Sequence, residues 1–277
     1  MTPAAFTILV ALVSFAAGLL GSLVGVGGGI IVVPALALFF GVDIRTAIAA
    51  SIISVIATSS GAAASYVKSR ITNLRLAMVL EIATTSGALS GASLAAVVTG
   101  RFLYVLFGAV LCYTAWSMSR RKSDHRASAP PDPWARRLRL QGEYHDQAEG
   151  RTVSYRVFRT KTGLAVSYLA GMVSGLLGIG GGVLKVPVMN LAMGVPIKAS
   201  TATSNFMIGV TAAASAAVYF MRGDVRPFVA APVAVGVLAG ARAGSRLLGR
   251  LRSEAIRAAF VVILIVTALQ MLWKGLR

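Results

Sequence analysis

Two glycine runs carry the chemistry of this chain, Gly25-Val26-Gly27-Gly28-Gly29 and Gly178-Ile179-Gly180-Gly181-Gly182, each followed five residues later by a proline, Pro34 and Pro187. Both lie inside apolar sequence, where such a run breaks a helix. A break within a bilayer leaves backbone N–H and C=O groups without partners, which is costly unless protein, water or a ligand satisfies them. Successive unhindered N–H groups and the positive ends of the half-helices that follow favour negative charge. Gly25, Gly27, Gly28 and Gly29, with Gly178, Gly180, Gly181 and Gly182, therefore read as donors to a small anion. Neither run follows a strand, and the spacing differs from G-x-G-x-x-G, so a nucleotide fingerprint is not implied.

Lys185 stands three residues after Gly182, and its counterpart in the first run is Val32. An ammonium at such a place marks a ligand or a counter-charge; the plainer alternatives are snorkelling and pairing with an acid. Glu81 is the only one of nine acids inside an apolar segment. It is a candidate for a coupling proton or for pairing with Lys185, and snorkelling is its plain reading. Ser51, Ser54, Thr58, Ser59 and Ser60 follow one half-helix; Thr201, Thr203, Ser204, Asn205 and Thr211 follow the other. Such side chains bond their own helix or line a polar path. Ser51, Thr203, Ser204 and Asn205 are taken as ligand-orienting, with Asn190 a weaker candidate. Arg45 and Lys198 occupy equivalent short loops, as anchors or as attractors of anions. With no histidine in an apolar segment, no paired carboxylates and no Ser-His-acid set, no catalytic residue is assigned and an enzyme is not expected. Cys112 is the lone cysteine, and no metal or cofactor is called for.

The elements that position these residues follow from composition. The chain has 277 residues, 56% hydrophobic and 13% charged, with mean hydropathy +0.77. A soluble domain carries roughly a quarter charged residues, so the class is an integral membrane protein. The formal charge of +18 reads as marking of cytoplasmic loops rather than as nucleic-acid binding. The first apolar segment, 3–24, lacks a basic leader and a cleavage site and is read as retained. Apolar segments follow at 30–42, 46–67, 76–99, 102–118, 163–177, 183–195, 199–221, 227–248 and 255–273. Those at 30–42 and 183–195 are too short to cross and read as half-helices.

Shifting the sequence by 153 residues aligns Gly18 with Gly171, the two glycine runs, Pro34 with Pro187, Gly41 with Gly194, Ser51 with Ser204 and Tyr66 with Tyr219, without a gap. The chain is thus a tandem duplication, a common plan among secondary transporters. The organisation is a first transmembrane repeat, 1–118, a basic cytoplasmic stretch, 119–162, and a second repeat, 163–277. The middle stretch carries eleven Lys/Arg against five acids. It includes a linker-like Ala129-Pro130-Pro131-Asp132-Pro133, a strand-like alternation at Val153, Tyr155 and Val157, and two histidines, His125 and His145, read as solvated. If each glycine run returns to its own side, the halves are inverted. The loop from Lys68 to Arg75, the middle stretch, Arg250 and Arg252 then share the cytoplasmic side, with both termini outside, as the distribution of positive charge favours. The expected fold is all-α and membrane-integral, with glycine-broken half-helices near the midplane.

Gly-Val-Gly-Gly-Gly-Ile-Ile-Val-Val-Pro at 25–34 and Gly-Ile-Gly-Gly-Gly-Val-Leu-Lys-Val-Pro at 178–187, with Gly194-Val195-Pro196-Ile197-Lys198 and Ala202-Thr203-Ser204-Asn205-Phe206, resemble the TauE/SafE sulfite exporter family. The resemblance implies a multi-pass inner-membrane permease for sulfite, sulfoacetate, a related sulfonate or another organic anion. The expected partners are that anion and the lipid bilayer, with no nucleic acid; a homodimer is compatible with the reading. Competing readings are a cation-selective permease using backbone carbonyls at the breaks, and a non-transporting membrane sensor or scaffold acting through the basic stretch.

Overall fold

The computed structural model describes residues 2–24, 28–119, 132–146, 150–247 and 253–277. Outside the middle stretch the described residues are mainly helical. In the first half α1 (Pro3–Val24) leads to the break and to α2 (Gly29–Pro34), which widens into a π turn (Ala35–Phe39). α3 (Ile44–Lys68), α4 (Leu74–Val97) and α5 (Gly100–Ser119) complete it. The second half repeats the order with α7 (Thr160–Leu177), α8 (Gly182–Pro187) and its π turn (Val188–Ala192), α9 (Ile197–Met221), α10 (Pro227–Leu247) and α11 (Ser253–Leu276). The starts of α3 and α9, of α4 and α10, and of the two π turns all differ by the 153 residues of the sequence repeat.

The half-helices follow from glycine and proline. The amide of Gly178 donates to the Ser174 carbonyl at 2.7 Å and ends α7. Gly178 and Gly181 then adopt φ of +70° and +69°, which side chains with a β-carbon rarely tolerate. The amides of Leu184 and Lys185 restart the helix on the Gly181 carbonyl. Pro34 and Pro187 lack an N–H and push against the preceding turn, and the helix widens to π immediately after each. Val42 N–H donating to the Leu36 carbonyl, and Val195 N–H to that of Met189, close the two loops in the same way.

Close helix packing comes from small residues. α1 lies along α10 and α4 along α7. In the second pair Gly87 faces the Tyr168 carbonyl, Gly91 that of Met172, Gly171 that of Thr84 and Gly175 that of Ala88. Gly18, Gly236 and Gly240 do the same between α1 and α10. Small residues at these positions let the helix backbones approach this closely. The large apolar side chains point the other way: Met78 is 67% exposed and Ile82 74%, with Ile8, Leu12, Phe220, Val235 and Leu269 also outward. Small residues inside and bulky apolar ones outside suit a lipid surround, where association depends on backbone approach rather than on apolar burial. Pro3–Gly21 and Ile197–Met221 are long and apolar enough to cross a bilayer by themselves. The 24 residues of α4 give a length of about 36 Å, against a hydrocarbon core of about 30 Å.

Three bonds set the direction of α9 against α4. Asn73 N–H at the start of α4 donates to Thr203 Oγ1 at 3.1 Å, Thr211 Oγ1 to Glu81 Oε1 at 2.8 Å, and Arg222 Nη1 to the Ala92 carbonyl at 2.8 Å. The two helices therefore run the same way. α3 runs against α4: its first turn holds Arg45, whose Nη2 donates to the Val98 carbonyl at 2.8 Å, where α4 ends.

The described residues of the middle stretch form a folded unit. α6 (Pro133–Arg137) precedes an antiparallel hairpin of β1 (Gly142–Asp146) and β2 (Arg151–Tyr155), with Tyr144 opposite Val153. The strand expected around Val153 is β2; its partner was not foreseen. Leu140, Tyr144 and Val157 are buried with Leu76, Met189, Met193 and Met207. Asn73 is the junction: its Oδ1 accepts Leu76 N–H at 3.0 Å, and its Nδ2 donates to the Leu140 carbonyl at 2.8 Å and to Tyr155 Oη at 3.1 Å. Asp132 accepts the amides of Trp134 at 3.1 Å and Thr160 at 2.8 Å, fastening α6 to α7. The bond from the Trp134 amide holds its carboxyl below the usual aspartate range, with help from Thr160 and Lys161. His145 is exposed on β1; His125, Pro130, Pro131, Arg250 and Arg252 lie outside the described residues.

Candidate functional site

The two breaks touch. Ser51, two turns into α3, donates its hydroxyl to the Gly178 carbonyl at 2.9 Å and lies 3.4 Å from the Gly29 carbonyl. A β-carbon on Gly29 would stand 2.9 Å from the Gly178 carbonyl oxygen and 2.8 Å from Ser51 Oγ. No side chain fits there, so glycine is what lets the first break reach the second. Gly28 lies against Val237 of α10. Gly25 and Gly27 lie outside the described residues. Gly28, Gly29, Ser51 and Gly178 through Gly182 are all buried, so the junction is closed to solvent in this conformation.

On the other side of the junction, Gly180 packs against Ile208 and Val55, Gly181 against the Ala170 carbonyl and the stem of Lys185, and Gly182 against Ile208 and Ser204. Ser204 occupies in α9 the place that Ser51 has in α3. Its Oγ is buried and makes no hydrogen bond among the described residues. Thr203, expected beside it, instead accepts the Asn73 amide and fixes α9 to the α3–α4 loop. Asn205 is half-buried one residue on. Asn190 donates to the Val195 carbonyl at 3.0 Å and serves the turn after the π segment.

Lys185 and Glu81 both turn inward. Lys185 is 1% exposed and Glu81 9%, which excludes snorkelling for either. Lys185 Nζ donates to Thr211 Oγ1 at 3.3 Å, and Thr211 Oγ1 lies 2.8 Å from Glu81 Oε1. Thr85 Oγ1 donates to the same carboxylate oxygen at 2.8 Å, while Glu81 Oε2 is buried with no hydrogen-bond partner among the described residues. The pairing of Lys185 with Glu81 considered from the sequence thus exists through one bridging hydroxyl. Thr211 was named only among the polar residues of its helix. A signal for it was present: it follows Ser204 by seven residues, two helical turns, and shares its face.

Arg45 donates to the carbonyls of Ala96 and Val98 and closes the end of α4. At the same end of the molecule, Arg222 pairs with Asp224 at 2.8 Å and lies over Tyr219. Both arginines thus tie helix ends together within the protein. A cavity of about 950 Å³ opens elsewhere, between the hairpin and the loop before α9, lined by Arg136, Glu143, Tyr155, Arg156, Phe158 and Gly194.

The family model described as sulfite exporter TauE/SafE matches residues 10–271. A probable membrane transporter protein, YunE, of Bacillus subtilis (strain 168) is 28% identical over 278 residues, covering 98% of each chain. A probable membrane transporter protein of Xylella fastidiosa (strain Temecula1 / ATCC 700964) is 28% identical over 267 residues, 95% of this chain and 92% of the relative. A segment of 59 residues, 21% of this chain and 13% of the relative, is 42% identical to sulfite exporter TauE/SafE family protein 5 of Arabidopsis thaliana. No solved structure matches.

Proposed function

The chain belongs to the sulfite exporter TauE/SafE family, and from that premise we propose that it is a multi-pass inner-membrane permease for a small sulfur-containing or organic anion, working by alternating access between inverted halves. The single observation that carries the proposal is the contact of Gly29 with Gly178 under the Ser51 hydroxyl, beside a buried ammonium. Two broken helices meeting within the protein, one from each repeat, form the kind of junction at which secondary transporters hold their cargo. Amides of the glycine runs donate to sulfonate or sulfite oxygens, Lys185 supplies charge, and Ser204 and Asn205 orient the ligand. With its hydroxyl taken by Asn73, Thr203 contributes by placing α9.

Inversion is supported by helix direction. α9 runs with α4, and α3 runs against α4, so the equivalent helices α3 and α9 point oppositely. The contacts are reciprocal as well: α1 with α10 mirrors α7 with α4, while α3 with α9 and α5 with α11 pair across the pseudo-two-fold. The α3–α4 loop and the folded insert meet at Asn73, and with them lie most of the basic residues of the middle stretch, which favours that end as cytoplasmic. Phe6 stacks on Phe228, and Lys274 Nζ donates to the Ala37 carbonyl at the opposite end, in keeping with both termini outside.

One observation favours a cation instead: the Gly29 and Gly178 carbonyls both approach Ser51 Oγ. Equilibrium binding of radiolabelled sulfite to purified protein, with sulfoacetate, taurine, Na⁺ and K⁺ as competitors, decides between them. Displacement by sulfonates supports the anion site. Saturable binding of Na⁺ or K⁺ with none of the anions would replace it with the cation site.

A further inference from the structure

Resting on the permease reading, the structure points to how the anion is coupled to a driving ion. Glu81 belongs to α4 of the first half, whereas Lys185 and Thr211 belong to α8 and α9 of the second. Their chain of contacts, Nζ to Oγ1 at 3.3 Å and Oγ1 to Oε1 at 2.8 Å, is therefore a clasp between the halves that alternating access has to move. It exists once. The counterparts of Lys185 and Glu81 in the repeat are Val32 and Ala234, and the counterpart of Thr211, Thr58, bonds the Ser54 and Val55 carbonyls of its own helix.

Charge balance decides what the clasp can do. Lys185 and Glu81 together are neutral, and burial makes any uncompensated charge costly. A monovalent anion arriving at Lys185 adds one negative charge to a closed site. Lys185 is the counter-charge that reaches Glu81 through Thr211. Other ionisable groups on the surrounding helices are engaged away from it: Tyr168 with Ser90, Tyr219 with the Gly175 carbonyl, Arg222 with Ala92 and Asp224, and Lys161 over Trp134. Arg75 and Lys198 sit in the first turns of α4 and α9, near the Asn73–Thr203 end. The remaining neutral route is a proton on Glu81.

We propose that the anion takes the Lys185 ammonium from Thr211 and that Glu81, deprived of its counter-charge, accepts one proton from water, so that one proton crosses with each anion. On release the proton returns to water from the Glu81 carboxyl and the ammonium returns to Thr211. The unpartnered Oε2 is the oxygen free to receive it.

The test uses proteoliposomes containing the full chain, radiolabelled methanesulfonate as a monovalent sulfonate, a trapped pH dye, and pH and voltage gradients imposed separately. Wild type is expected to acidify the lumen by about one proton per methanesulfonate; uptake without acidification overturns the coupling and leaves the permease standing. Glu81→Gln is expected to keep uptake, lose its response to the pH gradient, and gain one charge of voltage dependence, about ten-fold in accumulation per 60 mV. A Glu81→Gln protein that keeps the wild-type pH response overturns the proposal. Should that variant fail to fold, Thr211→Val is read instead: accumulation at a fixed pH gradient falls and Thr211→Ser restores it, whereas unchanged accumulation in Thr211→Val overturns the clasp. Absence of any methanesulfonate uptake or binding by folded wild type, together with failure of sulfite and sulfoacetate, removes the anion-permease reading itself.

Discussion

Replacing Lys185 with Met removes a charge while nearly preserving shape. The ammonium is 1% exposed, and its loss leaves the Glu81 carboxylate, 9% exposed, held by the Thr85 and Thr211 hydroxyls alone. Removing one partner of a buried ion pair costs about 3–5 kcal/mol, because the remaining charge is stranded, whereas neutralising both partners is close to neutral. Lys185→Met should therefore lower the unfolding temperature in detergent by on the order of 10 °C. The double variant with Glu81→Gln should recover most of that loss, giving a coupling energy of at least about 2 kcal/mol in a double-mutant cycle. Anion uptake should be absent from both, since stability is restored without the charge that binds the ligand. Thermal unfolding followed by tryptophan fluorescence, with uptake on the same preparations, measures each quantity. A single variant as stable as wild type, or a double variant no more stable than the single, would refute the buried pairing; full uptake by either would refute the role in binding.

Three further outcomes follow from the geometry. Ser51→Ala leaves the Gly178 carbonyl without its donor and should cost about 1–3 kcal/mol while slowing uptake; unaltered stability and rate would show that the hydroxyl does not hold the breaks together. Gly91→Val places a branched side chain against the Met172 backbone, so the α4–α7 crossing should open and the protein should lose monodispersity in size-exclusion chromatography; a normal elution profile would contradict the close crossing. Asp132 has a folded pKa depressed below its unfolded one, so its contribution is present above the unfolded value and is lost as pH falls through the folded one. Amide exchange of Trp134 and Thr160, corrected for intrinsic rate, should then rise as pH drops below about 4; protection that persists unchanged into stronger acid would contradict the link.

What the sequence disclosed was local. Glycine runs and prolines have fixed backbone consequences, so the two half-helices, expected at 30–42 and 183–195, appear at 29–39 and 182–192 including their π turns. The repeat was legible because it preserves spacing, and inward glycines because helix crossings in lipid need them. Less accessible was anything decided by partners far along the chain. Thr203 and Ser204 are neighbours of similar type, but the helix turns the first toward Asn73 and the second toward Gly182. Ser51 works through a carbonyl 127 residues away. The strand β1, Gly-Glu-Tyr-His-Asp, has a single apolar side chain directed inward, Tyr144, and owes its existence to pairing with β2 and to the Asn73 junction. Glu81 could not be oriented from sequence because exposed Ile82 and inward Glu81 are adjacent; the helix phase was settled by the glycines of the α4–α7 crossing.

The central claim is that this family member carries a small anion through the junction of its two broken helices. The most direct measurement is uptake of radiolabelled sulfite, sulfoacetate and taurine into proteoliposomes containing the purified wild-type protein or Lys185→Met. Saturable uptake of sulfite or sulfoacetate by wild type, lost in the variant, is the predicted result. No uptake of any of the three by folded protein, or equal uptake by the variant, would contradict it.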